Sequence, residues 1–142
     1  MDKNTMIENC LTLVKNAKVA MLGTVDEQGH PNIKAMLNLK TDGLHRIWFS
    51  TNTSSKRVQQ LLNNNKACVY YYTDNDFMGL MLVGKAEVMR DEASRKLLWF
   101  DGCEAYYPHG IDDPDYSVLR FTAESGHYYH NLEKLSFEVS SV

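Results

Sequence analysis

Residues Val19–Thr51, VAMLGTVDEQGHPNIKAMLNLKTDGLHRIWFST, decide the fold class of this 142-residue chain. Three apolar stretches, VAMLGTV, PNIKAMLNL and LHRIWFST, alternate with two polar turns. Gln28-Gly29 lies in the first turn and Asp42-Gly43 in the second, and such pairs suit tight turns between antiparallel strands. The segment therefore predicts three consecutive strands in a meander.

The second half of the chain continues the strand pattern. KACVYYYT is rich in β-branched and aromatic residues, and a turn at Asp74-Asn75-Asp76 leads into the long apolar stretch FMGLMLVGKAEVM. The closing stretch YSVLRFTAESGHYYHNLEKLSFEV predicts one or two more strands around an irregularity at Ser125-Gly126. Six or so strands without strand–helix alternation predict one mainly β (α+β) domain over residues 1–142, an antiparallel barrel or strongly coiled sheet with peripheral helices.

Three helices complete the predicted elements. Asn4–Ala17 has apolar residues at helical spacing, with Thr5 and Glu8 as a capping box. A second, short helix over SKRVQQLLNNN follows Thr53 and Ser54, and Asp91 caps a third over DEASRKLLWF. The Pro- and Asp-rich segment GCEAYYPHGIDDPD is expected to be a loop outside the core.

Composition excludes several classes of protein. Hydrophobic residues make up 44% and charged residues 23%, the balance of a folded domain. A net charge of -3 disfavours a nucleic-acid partner, and no apolar run approaches the ~20 residues of a membrane span. Three scattered cysteines and a polar N-terminus predict a reduced, cytoplasmic protein.

The stretch FSTNTSSKR, from Phe49 to Arg57, carries the strongest chemical signal. A strand ends there and a helix begins with hydroxyls and two adjacent cations, Lys56 and Arg57. Free N–H groups and the positive end of the helix dipole make such a terminus an anion site. The simpler interpretation is an ordinary helix cap with solvated cations. However, cations are disfavoured at a helix N-terminus, which argues for a bound anion such as phosphate.

Two further features bear on a ligand. Lys34 lies in the middle of the PNIKAML strand, where it is either solvated or able to reach a ligand on that face. Tyr129 follows the glycine irregularity near a strand end, where its ring could be offered to a planar ligand. His127 and His130 are three residues apart, which on a strand places them on opposite faces, so a metal site is not expected.

The order of these motifs resembles the pyridoxamine-phosphate-oxidase-like flavin-binding split barrels, in particular the short general-stress-protein type. FSTNTSSKR and the VGKAE segment carry the resemblance most specifically. It implies a six-stranded split β-barrel that binds FMN across a homodimer interface, with Tyr129 supplied by the partner subunit. The cofactor-binding positions it implies are Lys34, Ala35, Met36, Phe49, Ser50, Thr51, Asn52, Ser55, Lys56, Arg57 and Tyr129.

The resemblance implies a flavin-dependent oxidoreductase that accepts electrons from NADH or NADPH, with the acceptor unidentified. No general acid or base is written in the sequence, and NLEKLSFEVSSV has no counterpart of the Arg-and-His segment with which the vitamin oxidases hold their substrate. Oxidation of pyridoxamine phosphate itself is therefore not expected. The alternatives are a non-catalytic protein that holds a flavin, a deazaflavin or haem, with His127 or His130 as axial ligand, and an empty dimer with a structural role.

Overall fold

A single antiparallel sheet of eight strands forms the body of the protein in the computed structural model, which describes residues 1–74 and 76–142. The strands are β1 Val19–Val25, β2 Pro31–Leu37, β3 Lys40–Asp42, β4 Arg46–Asn52, β5 Lys66–Thr73, β6 Met78–Met89, β7 Tyr116–His130 and β8 Glu133–Glu138. The helices are α1 Lys3–Asn16, α2 Lys56–Asn63 and α3 Glu92–Leu98. The sheet curls into a half-barrel, so the predicted split-barrel class is confirmed, with two strands more than the six expected. Of the predicted turn between β5 and β6, Asn75 lies outside the described residues.

The predicted meander of three strands is wrong at its third member. The strand order is β2-β1-β5-β6-β7-β4-β3, with β8 paired to β7, so β4 does not pair with β2 and the two strands meet only across the open side of the half-barrel. The Asp42-Gly43 turn instead joins β4 to the three-residue β3. Ile47, Trp48 and Phe49 are all buried, so β4 is covered on both faces. It pairs along its whole length with β7, which gives this two-sided strand an interior position.

Two hydrophobic clusters lie on the two sides of β4. The larger fills the half-barrel, where Ile47 and Phe49 belong to the same core as α1 side chains such as Cys10 and Val14. The smaller contains Trp48 and Tyr116 together with Leu98 of α3 and Tyr107. The segment after α3 was expected to lie outside the core, and this is wrong. It forms two short 3-10 turns, Cys103–Ala105 and Gly110–Asp112, and its apolar side chains cover the outer face of the sheet.

The helix starts depend on side-chain caps. Asp91 caps α3, as predicted, and accepts a hydrogen bond from the Ser94 N–H. The cap of α1 is Asp2, which accepts from the Thr5 N–H at 2.8 Å, so the predicted Thr5–Glu8 capping box is wrong. Ser55 caps α2, one residue after Ser54 and two after Thr53. An N-cap carboxylate or hydroxyl satisfies an N–H that has no helical acceptor, and this fixes where each helix begins.

Strand β7 is the longest of the sheet and contains an irregularity one residue before the predicted Ser125-Gly126. Val83 pairs with Ser125 while Gly84 pairs with Ala123, which leaves Glu124 as the extra residue of a bulge. The chain then reverses into β8 through Asn131 and Leu132, both with positive φ. None of the helices in residues 1–74 and 76–142 has the length and hydropathy needed to cross a membrane.

Candidate functional site

A groove of about 190 Å³ opens where β2, the end of β4, the start of α2 and the segment after α3 come together. Its floor is polar at the β4 end, and its walls are mostly apolar. The residues that border it are Ala35, Met36, Leu37, Leu39, Ser50, Thr51, Asn52, Arg57, Phe100, Cys103, Tyr106 and Tyr107. Six of the eleven predicted cofactor-binding residues therefore meet in one groove: Ala35, Met36, Ser50, Thr51, Asn52 and Arg57.

Arg57 supplies the positive charge of the groove. Its guanidinium is partly buried and donates from Nη2 to the Thr51 hydroxyl at 2.9 Å, while its Nε is buried without an acceptor. Within the described part of the chain, Arg57 has no carboxylate partner. Burial lowers the pKa of this guanidinium from its usual value. The guanidinium nevertheless stays charged, because the pKa of arginine is far above neutral pH. A partly desolvated cation with a free donor is a site for an anion.

The hydroxyl of Ser50 lies beside this cation at the end of β4. Its Oγ is buried and has no hydrogen bond of ordinary geometry to any described residue. It is close enough to the Tyr116 phenol to offset part of the rise that burial causes in the pKa of that phenol. The groove therefore contains a second polar group with unused hydrogen-bonding capacity.

The turn that links β4 to α2 is held by Asp115. Its carboxylate accepts from Asn52 Nδ2 at 2.7 Å and from the Ser54 N–H at 2.8 Å. These hydrogen bonds lower the pKa of Asp115. The Ser55 N–H donates to the Asn52 carbonyl, and the Val58 N–H to Ser55 Oγ. Several of the N–H groups expected to cradle a phosphate are thus engaged within the chain, which leaves the Arg57 side chain as the candidate for binding an anion.

The remaining predicted residues lie outside the groove. Lys56 is exposed and borders a separate polar groove with Ser54 and Gln59, on another side of α2. Lys34 is exposed on β2, and the Phe49 side chain is buried in the half-barrel core. Ser55 serves as the cap of α2, with its Oγ 3.4 Å from Thr51 Oγ1.

Tyr129 lies near the far end of β7. The groove is at the Tyr116 end of that strand, thirteen positions away, or about 40 Å along the chain at roughly 3.3 Å per residue. Tyr129 instead borders an open apolar cavity of about 540 Å³ with Met78 and the exposed Phe77. One copy of the chain therefore does not bring Tyr129 to its own groove. His127 bonds to Ser136 at 3.0 Å, and no cluster of three metal-binding side chains occurs in the described ranges.

The second wall of the groove was missed by sequence reasoning. Phe100, Cys103, Tyr106 and Tyr107 come from the segment that was expected to be a simple loop. Tyr107 is 5% exposed, and burial raises its pKa to about 12, so its hydroxyl is protonated at neutral pH. The aromatic pair in AYYPHG was the one signal that this segment packs against the sheet.

Comparison with known proteins agrees with this architecture. The family described as "Pyridoxamine 5'-phosphate oxidase like" matches residues 5–142. A crystal structure from Clostridium acetobutylicum, of a protein related to general stress protein 26 of the pyridoxinephosphate oxidase family, is 52% identical over 99% of both chains, with a TM-score of 0.87.

More distant solved structures share the fold. General stress protein 26 from Bacillus anthracis is 19% identical over 92% of this chain and 98% of its own, with a TM-score of 0.75. A heme binding protein from Mycobacterium smegmatis is 17% identical over 97% of this chain and 60% of its own, with a TM-score of 0.76. No curated protein matches the sequence. The family match over nearly the whole chain and the 52% identical structure show that this protein belongs to the pyridoxamine 5'-phosphate oxidase-like family.

Proposed function

We propose that the protein binds FMN in the groove as a homodimer and acts as a flavin-dependent oxidoreductase that takes electrons from NADH or NADPH. The observation that carries the proposal is Arg57, a partly buried cation that borders the groove and has no carboxylate partner in the described ranges. A phosphate monoester on a planar ring suits a groove with one cationic end and apolar walls. Family membership supports the same cofactor.

The residues present fit such a ligand. Arg57 would hold the phosphate, with the hydroxyls of Ser50 and Thr51 at the same end of the groove. Ala35 and Met36 on β2 would border the ring. FMN, when bound, supplies the hydride and electron chemistry, and the protein contributes position and surroundings. The groove-lining residues of the described chain include no carboxylate and no histidine, so the chain's own part is to bind and orient the ring.

A second copy of the chain would complete the site. Ile33 is 72% exposed and Leu37 is also exposed, and both lie on β2 beside the groove. Phe77 and Tyr129 form a second apolar surface at the other end of the half-barrel. Exposed apolar patches of this kind are typical of protein interfaces. In the proposed dimer, the partner's Tyr129 covers the flavin ring.

A haem-binding protein is the second candidate. His130 is half-buried at the end of β7, and no described residue hydrogen-bonds to its Nδ1, so the ring is not engaged within the chain. A structural relative is described as a heme binding protein, at 17% identity. His130 lies at the Tyr129 end of β7, away from Arg57, so the two candidates use different ends of the fold.

Titration of the full chain with FMN and with haemin separates the two. The flavin proposal expects one FMN per subunit, followed by oxidation of NADH or NADPH when an artificial acceptor is supplied. Haemin binding with a Soret band that is lost in His130→Ala, together with no uptake of FMN, would replace the flavin proposal with the second candidate.

A further inference from the structure

Tyr107 differs from the other buried tyrosines in what its hydroxyl does. The Tyr71 hydroxyl donates to Asn38 Oδ1 at 2.9 Å, and the Tyr116 hydroxyl donates to the Arg95 carbonyl at 2.8 Å. The Tyr128 hydroxyl accepts from Asn9 Nδ2 at 3.1 Å. Among residues 1–74 and 76–142, no group hydrogen-bonds to the Tyr107 hydroxyl. Although most of this side chain is buried, the hydroxyl itself reaches solvent-accessible space, so its donor is available to a ligand.

The Tyr107 ring is fixed in place. Its centroid lies 4.7 Å from that of Tyr116 and 6.3 Å from that of Trp99. The backbone is fixed as well, because the Tyr107 N–H donates to the Cys103 carbonyl at 3.0 Å and the Gly110 N–H donates to the Tyr107 carbonyl at 3.0 Å. A hydroxyl held by its own packing loses little further entropy when a ligand arrives.

The free hydroxyl shares the groove with Arg57. Both residues border it, and they are close enough that a charge on the phenol would raise the pKa of the guanidinium. The phenol itself stays neutral, because burial raises its pKa to about 12. Arg57 brings a positive charge, and Tyr107 brings a neutral O–H donor. Two donors that border one groove from different chain segments suit an acceptor with several oxygens.

We propose that the Tyr107 hydroxyl donates a hydrogen bond to the same phosphate group that Arg57 binds. The anion site then has two halves, one from the start of α2 and one from the segment after α3. Tyr107 is thus a further binding residue, absent from the positions that the family resemblance implied. This inference rests on the proposed function for the identity of the phosphate compound, which is FMN.

Tyr107→Phe tests the inference with FMN and riboflavin, which differ by the phosphate. Hydrogen bonds to charged groups contribute about 1.5–3 kcal/mol, so FMN affinity should fall roughly 10-fold or more while riboflavin affinity stays within about twofold. The variant keeps the ring, and no protein group loses a partner, so its thermal unfolding should match wild type. Tyr72→Phe, which removes an exposed hydroxyl on β5, is the matched control. Equal losses for both ligands, or no loss of FMN affinity, would overturn the inference.

Inorganic phosphate keeps this test separate from that of the proposed function. If wild-type protein takes up no FMN, the proposed function fails, and phosphate titration by calorimetry or ³¹P NMR then tests the two-donor site alone. Phosphate binding that weakens in both Arg57→Ala and Tyr107→Phe would uphold it. No phosphate binding by wild type, or equal binding by wild type and Tyr107→Phe, would overturn it.

Discussion

Replacing Arg57 and Lys56 by alanine, one at a time, separates a cation that borders the groove from its neighbour in the chain. The two side chains carry the same charge and start the same helix, yet Arg57 borders the groove and Lys56 borders a different one. If the phosphate of FMN binds beside Arg57, the two variants must differ. Both side chains lie in the same electrostatic field at the start of α2. A difference in FMN affinity between the two variants therefore indicates direct contact between Arg57 and the phosphate.

The expected magnitude follows from the donors. Arg57 spends one Nη2 hydrogen on Thr51, and its other Nη hydrogens are left for a ligand. Two hydrogen bonds to a phosphate would contribute about 3–6 kcal/mol at about 1.5–3 kcal/mol each, and the groove is open to solvent, so we expect the lower end. A loss of about 3 kcal/mol corresponds to roughly 150-fold in the Kd for FMN. Lys56→Ala should lose less than about fivefold, as for one exposed charge.

Fluorescence titration of FMN at two salt concentrations measures both effects. The small effect of Lys56→Ala should shrink at high salt, because screening removes the interaction of exposed charges, while most of the effect of Arg57→Ala should persist. Thermal unfolding of each variant checks that the loss of the Arg57–Thr51 hydrogen bond has not unfolded the chain. Equal losses in the two variants, or an Arg57→Ala protein that binds FMN like wild type, would refute the reasoning.

Two other substitutions test the frame of the site. Asp115→Asn should lower the melting temperature at neutral pH, because the carboxylate that accepts from Asn52 and Ser54 is lost. Folding lowers the pKa of Asp115. The stability that its carboxylate contributes is therefore complete above the unfolded pKa of about 3.9 and is lost as pH falls through the folded pKa. The difference in melting temperature between variant and wild type should close in acid, and a difference independent of pH would count against this role. Gly84→Ala should cost about 1–3 kcal/mol in denaturant unfolding, because a Cβ there would overlap the Thr122 carbonyl at the bulge, and an unchanged midpoint would mean that the bulge yields freely.

The fold class could be predicted from local patterns, whereas the order of the strands could not. Alternating apolar residues and turn pairs are properties of short segments, and they predicted β1, β2 and β4 correctly as strands. Which strands become neighbours depends on pairings between distant segments, such as that of β4 with β7. The available signal that β4 is covered on both faces was a run of three apolar residues, Ile47, Trp48 and Phe49, all of which the structure buries.

The candidate site, like the fold, could be predicted only where it depends on local sequence. The start of α2 is a local feature, and it led to Arg57, Ser50 and Thr51. Successive side chains along a helix point about 100° apart, so neighbouring residues face different directions. With Ser55 as the cap of α2, Arg57 faces the groove and Lys56 does not. Asp115 and Tyr107 could not be found this way, because the residues that give them their roles lie about fifty or more positions away.

Absorption spectroscopy of the purified protein during titration with FMN tests the central claim most directly. The account predicts a perturbed flavin spectrum that saturates at one FMN per subunit, with a weaker response in Arg57→Ala than in Lys56→Ala. A chain that leaves the FMN spectrum unchanged at every concentration would contradict the flavoprotein assignment.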